Sequence, residues 1–99
     1  MPRIRSVKPE FFRDAELARD HTRDERLFYQ GLWIEADDAG RFIANARALL
    51  GAVFPYENDV DEAWIERSLM SLCSRKRVVL YTLNGVRYGY LPKFLDHSV

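Results

Sequence analysis

An α+β domain, three helices followed by a β-hairpin, is the fold class this sequence predicts, and three observations carry the prediction. Apolar residues recur at helical spacing in three stretches, each preceded by a capping residue. Beyond Arg77 the period shortens to that of a strand. Asn84-Gly85, the strongest short hairpin signal, then divides the alternating segment in two. Ninety-nine residues allow one domain, 1–99, and leave no room for a second. Six Phe, five Tyr and two Trp supply bulky side chains for a small core, so disorder is expected only near the ends.

Met1–Phe12 reads as an extended arm, because Pro2 and Pro9 restrict their neighbours, with Ile4 and Val7 as anchors and Arg3, Arg5 and Lys8 on the polar side. Arg13–Asp20 carries Ala15, Leu17 and Ala18 and is compatible with a short helix. Thr22 and Glu25 have the spacing of a capping box and open the first main helix, Arg23–Ala36, with Leu27, Phe28, Gly31, Leu32 and Ile34 as its buried surface. Gly31 suits the close approach of another element. Ala36-Asp37-Asp38-Ala39-Gly40 is turn chemistry, and Arg41-Phe42-Ile43 is a stub of strand.

Asn45 caps the second helix, which runs to Val53 before Pro55 ends it. Asp59 and Glu62 repeat the capping spacing ahead of the third helix, Val60–Arg75, whose inner side is Trp64, Ile65, Leu69, Leu72 and Cys73. Val78–Leu83 and Val86–Leu91 are the strands of the hairpin, and Pro92 precedes a tail, residues 93–99, whose Phe94 and Leu95 can pack on the body. Helix, strand stub, helix, helix, hairpin is the order of a winged helix-turn-helix: a three-helix core plus a C-terminal β-hairpin wing. A three-helix bundle with an unrelated hairpin is the alternative.

Fifteen basic and fifteen acidic residues cancel, but their distribution does not. Met1–Pro9 carries +3, Glu10–Glu66 carries −8, Arg67–Leu95 carries +6 with no acid at all, and Asp96 adds −1. A chain neutral as a whole can therefore fold with a basic face beside an acidic one. The single cysteine, Cys73, forms no intrachain disulfide and fits a small, buried apolar position in a reducing cytosol. No apolar run follows the basic N-terminus, so neither a signal peptide nor a membrane span is expected.

Five segments carry a likeness: Arg3 to Phe12, Leu27 to Trp33, Ala36 to Phe42, Leu50 to Tyr56, and Tyr88 to Phe94. Each is weak alone, but in this order and spacing they resemble the N-terminal domain of bacteriophage replisome-organiser and replication-initiation proteins, over nearly the whole chain. The resemblance implies a winged-helix DNA-binding domain of phage or prophage origin, acting in replication initiation or in a regulatory role in the bacterial cytoplasm, at the nucleoid when bound. Members of that family continue past the position of Leu95 into domains that engage replication partners. This chain stops at Val99, which fits either a stand-alone relative or an excised domain.

The candidate DNA contacts follow from charge and element order, each beside a plainer role. Arg67 falls on the outer side of the third helix, where a guanidinium can read guanine or pair with an acidic helix. Glu62 and Glu66 on the same helix repel phosphate. Arg75, Lys76 and Arg77 sit at the helix end, where they can meet phosphate or simply complement the dipole. Asn84 serves the turn, and Arg87 just beyond it is the wing residue. Arg3, Arg5 and Lys8 can follow a minor groove as an arm or merely solubilise it. Arg41, Asn45 and Arg47 surround the start of the second helix, where N–H groups meet phosphates and Asn45 also caps.

Catalytic, cofactor and metal sites are not expected: His21 and His97 are far apart in sequence, there is no glycine-rich phosphate loop, and no Cys and His spacing suits zinc. Trp33 and Trp64 are expected in the core or at a groove edge. Double-stranded DNA is the expected partner, with replication proteins, a host factor or a second copy as further partners and no membrane. The rival reading is a protein-interaction module, favoured if Trp64, Met70 or Tyr56 is exposed or if the basic residues are consumed in pairs with the acidic helices, whereas a basic face uniting Arg67, Arg87 and the arm favours DNA.

Overall fold

Thr22 and Glu25 close the expected box in both directions: the Glu25 N–H donates to Thr22 Oγ1 and the Thr22 N–H to Glu25 Oε1, each at 3.1 Å. From this start, in a computed structural model that describes residues 7–93, the chain builds five helices and three strands among the described residues. They are α1 (Pro9–Arg13), α2 (Ala15–Asp20), α3 (Arg23–Glu35), β1 (Arg41–Ile43), α4 (Ala46–Val53), α5 (Glu62–Ser74), β2 (Val79–Leu83) and β3 (Val86–Tyr90). Arg3, Arg5 and Ile4 of the arm, and Phe94 and Leu95 of the tail, lie outside the described residues.

The strands form one antiparallel sheet in the order β1-β3-β2. Asn84 and Gly85 take positive φ, 53° and 79°, as a two-residue turn with the right-handed twist of the flanking strands requires. Gly89 sits opposite Phe42, and a Cβ there would overlap the Phe42 ring, so the glycine lets the aromatic lie flat across β3. Phe28, Leu32, Ile65, Leu69, Leu72 and Leu91 fill the space between helices and sheet, each fully buried. A second aromatic contact closes the corner after α4, where Trp64 meets Phe54 edge to face at 5.4 Å and Phe28 at 5.7 Å.

Four expectations are corrected. Pro9–Phe12, expected in the extended arm, is helical within α1, because proline at the first helical position loses only an N–H that has no intrahelical partner anyway. Leu27 and Ile34 are exposed, at 57% and 52%; the buried stripe is Phe28, Tyr29 and Leu32, so α3 is turned from the expected orientation. Asp61, not Asp59, caps α5, its carboxylate accepting from the Trp64 N–H at 2.8 Å, and the helix starts two residues later than Val60. Cys73 is half-buried rather than buried, the innermost polar residue of α5 being Ser68. The close approach at Gly31 occurs: a Cβ would stand 2.7 Å from Val53 Cγ2 of α4. None of the described helices is long and apolar enough to cross a membrane.

Candidate nucleic-acid interface

α5 has a buried stripe, Ile65, Ser68, Leu69 and Leu72, and opposite it an exposed one, Ala63, Arg67, Met70 and Ser74. Both repeats follow the 3.6-residue period. Arg67 stands mid-helix on the outer stripe and makes no ion pair with any described residue. Arg47, exposed in the first turn of α4, is likewise outside the ion pairs of the described residues. Asn45 caps that turn, its Oδ1 accepting from the Ala48 N–H at 2.9 Å, which leaves the Ala46 and Arg47 N–H groups outside the helix's own bonding.

Arg87 joins these elements. It projects from β3 on the side of the sheet that faces the helices, donates from Nε to the Ala44 carbonyl at 2.9 Å, and grips both oxygens of Glu66 on α5, Nη1 to Oε2 at 3.0 Å. The residue between β1 and the α4 cap, the middle of α5 and the hairpin just beyond its tip therefore meet at one guanidinium. Each partner stabilises the charged form of the other: the Arg87 hydrogen bonds hold the Glu66 carboxyl below the usual carboxylate range, and Glu66 raises Arg87. The arginine expected as a free wing contact is thus occupied within the fold. Its neutralisation of Glu66 also removes one of the two carboxylates that weigh against phosphate on α5.

The other candidates are distributed more widely. Arg41 lies on the outer face of the sheet, paired with Asp37 through Nε and Oδ2 at 3.2 Å, in a groove it shares with Glu35, Ile43 and Tyr88. Lys8 is half-buried just ahead of α1. Arg75 approaches Asp20 at 3.8 Å, Lys76 turns the chain out of α5 with φ of 61°, and Arg77 is half-buried with its Nε enclosed and unpartnered among the described residues. Asn84 occupies the hairpin tip. Arg67 stands on α5 and Arg87 is bound to that helix through Glu66, whereas Arg47 is on α4, Arg41 belongs to the outer face of the sheet and Arg75 to the α2 end.

Two features were not read from the sequence. His21 is buried between α2 and α5, with Nδ1 3.3 Å from Glu25 Oε1 and 3.4 Å from Ser71 Oγ. No local pattern announces a contact fifty residues apart. The second is the apolar outer row of the hairpin, Val79, Tyr81 and Leu83, which the alternation of β2 does contain. Trp64 is half-buried, whereas Met70 at 47% and Tyr56 at 91% are exposed. No family model, no curated protein and no solved structure matches this chain.

Proposed function

We propose that this protein is a winged-helix protein that binds duplex DNA, of the phage or prophage replication-initiation or regulatory type. α3, α4 and α5 form the three-helix core, α5 is the reading helix, and β2 and β3 are the wing. The observation that carries this reading is the outer stripe of α5: small residues at Ala63 and Ser74 flank Arg67 and Met70, and the central cation is paired with no described carboxylate. Small flanking side chains let a helix approach base edges closely, and Arg67 reaches guanine O6 and N7 or a phosphate. Arg47 and the α4 first turn meet the neighbouring phosphate, and the Asn84-Gly85 tip lies against the backbone. Arg87 holds the wing at a fixed angle to α5 rather than touching DNA itself. No catalytic step, cofactor or metal is assigned.

Fluorescence anisotropy of labelled duplexes, taken over a salt series, tests the reading. Neutralising about four phosphates gives a slope near −4 in log affinity against log salt. Arg67→Ala is expected to lower affinity at least tenfold, and a flat salt response overturns the proposal. Docking on a replication or host protein is the second reading, favoured by the exposed Tyr56 and Met70 and by the pairing of Arg87 with Glu66 and Arg75 with Asp20. It predicts that Tyr56→Ala abolishes capture by that partner while leaving DNA affinity untouched.

A further inference from the structure

The two edges of the sheet are finished differently. At β1 the turn closes the edge at Arg41, leaving only the outward groups of Ile43 open on that strand: the Asp37 N–H donates to the Arg41 carbonyl at 2.8 Å, and Asp37 Oδ1 accepts from the Arg41 N–H at 3.0 Å. The outward backbone groups of Arg41 are thereby satisfied within the chain. Nothing comparable covers β2, where no described residue beyond the sheet hydrogen-bonds to the strand.

The register fixes which β2 groups are open. A two-residue hairpin makes Leu83 and Val86 a bonded pair, and alternation makes Tyr81–Tyr88 and Val79–Tyr90 bonded pairs as well. The Ala44 N–H to Arg87 carbonyl bond agrees, since it turns the Arg87 backbone, and with it that of Gly89, towards β1. The N–H and C=O groups of Leu80 and Thr82 therefore point away from β3, along the free side of the sheet.

We propose that β2 is the pairing edge of a homodimer, in which a second copy of this chain adds antiparallel with the two-fold axis at Tyr81. In that register Leu80 faces Thr82 of the second copy and Thr82 faces its Leu80, so the four open N–H groups meet four open carbonyls. On the outer face Val79 faces Leu83 of the other copy and Tyr81 faces Tyr81, apolar against apolar at every position. Tyr81 already stacks on Tyr88 with centroids 5.6 Å apart, so the axis gathers four tyrosine rings.

The sequence of β2, Val-Leu-Tyr-Thr-Leu, has none of the devices that keep an edge single: no lysine, no proline and no inward charge. Antiparallel pairing also sends Arg75, Lys76 and Arg77 of the two copies to opposite ends, so like charges do not meet. Val79, Tyr81 and Leu83 retain 45%, 37% and 58% exposure. Five-residue strands bury less than the roughly 800 Å² per partner of a standard interface, so the dimer is reversible. The pairing is independent of the DNA reading, because its apolar row lies on the face of the sheet opposite Arg87 and α5.

Sedimentation velocity on the full chain, over a hundredfold concentration series without DNA, tests the pairing. Wild type is expected to shift from monomer towards dimer mass. Thr82→Pro removes an N–H directed away from β3, and Leu83→Lys puts a charge against Val79 of the second copy. Both are expected to remain monomeric, with circular dichroism and melting showing the fold intact. Ile43→Lys, on the same face but at the far strand, is expected to dimerise as wild type does. Wild type that stays monomeric throughout, or a folded Thr82→Pro or Leu83→Lys that dimerises as wild type does, overturns the proposal; dimer loss confined to Ile43→Lys does so too, by assigning the contact to the sheet face.

Discussion

Arg87 ties three elements with one side chain, and its replacement separates positioning from DNA contact. Arg87→Ala is expected to cost about 1 kcal/mol of stability, modest because the pair with Glu66 is partly exposed. On the proposed DNA-binding reading, affinity is expected to fall because Glu66 would face DNA unneutralised, with the salt slope as in wild type, whereas Arg67→Ala is expected to shallow the slope by about one where the arginine meets phosphate. The same pair sets a pH dependence. Because the folded Glu66 carboxyl titrates below its unfolded value, its contribution is complete above about pH 4.3 and is lost as pH falls through the folded value. The melting temperatures of wild type and Glu66→Gln are therefore expected to converge as the solution is acidified. Asp37, held low chiefly by the Arg41 N–H, acts in the same direction. The sequence marks Arg87 as a cation near the wing tip; its partner, twenty-one residues earlier, becomes visible only when α5 is laid beside β3.

At the scale of elements, the helix starts were largely legible because a cap is a three-residue pattern. Asn45→Ala and Asp61→Ala are each expected to cost about 1 kcal/mol in denaturant unfolding, and Asp59→Ala close to nothing. That contrast also measures the one capping error, which arose because two aspartates stand two residues apart and only helix geometry chooses between them. The hairpin was legible for a similar reason: Asn84-Gly85 needs no distant partner to define its turn. Which way α3 faces was not. Leu27 and Ile34 suit the core as well by composition as Tyr29 does, and the choice falls to the helices and sheet packed around α3. Within the sheet, Gly89→Ala is expected to destabilise by about 1–3 kcal/mol, since the Phe42 ring occupies the space a methyl would take.

For the whole molecule, charge is the property that folding rearranges most. The sequence divides its charge into blocks along the chain, and the fold brings the basic C-terminal third against the acidic helices, so that Arg87 reaches Glu66 and Arg75 approaches Asp20. What remains unpaired among the described residues at α5 is Arg67, with Arg47 at the start of α4. The α+β class, the main helices, the three-residue strand stub and the hairpin were determined by the sequence itself, because periodicity, caps and turn residues act between near neighbours. Tertiary structure alone decided the sheet order β1-β3-β2, the orientation of α3, the capture of Arg87 and the open edge of β2. These depend on groups brought together across long stretches of chain, where burial and hydrogen-bond satisfaction over the entire core, rather than local preference, select the arrangement.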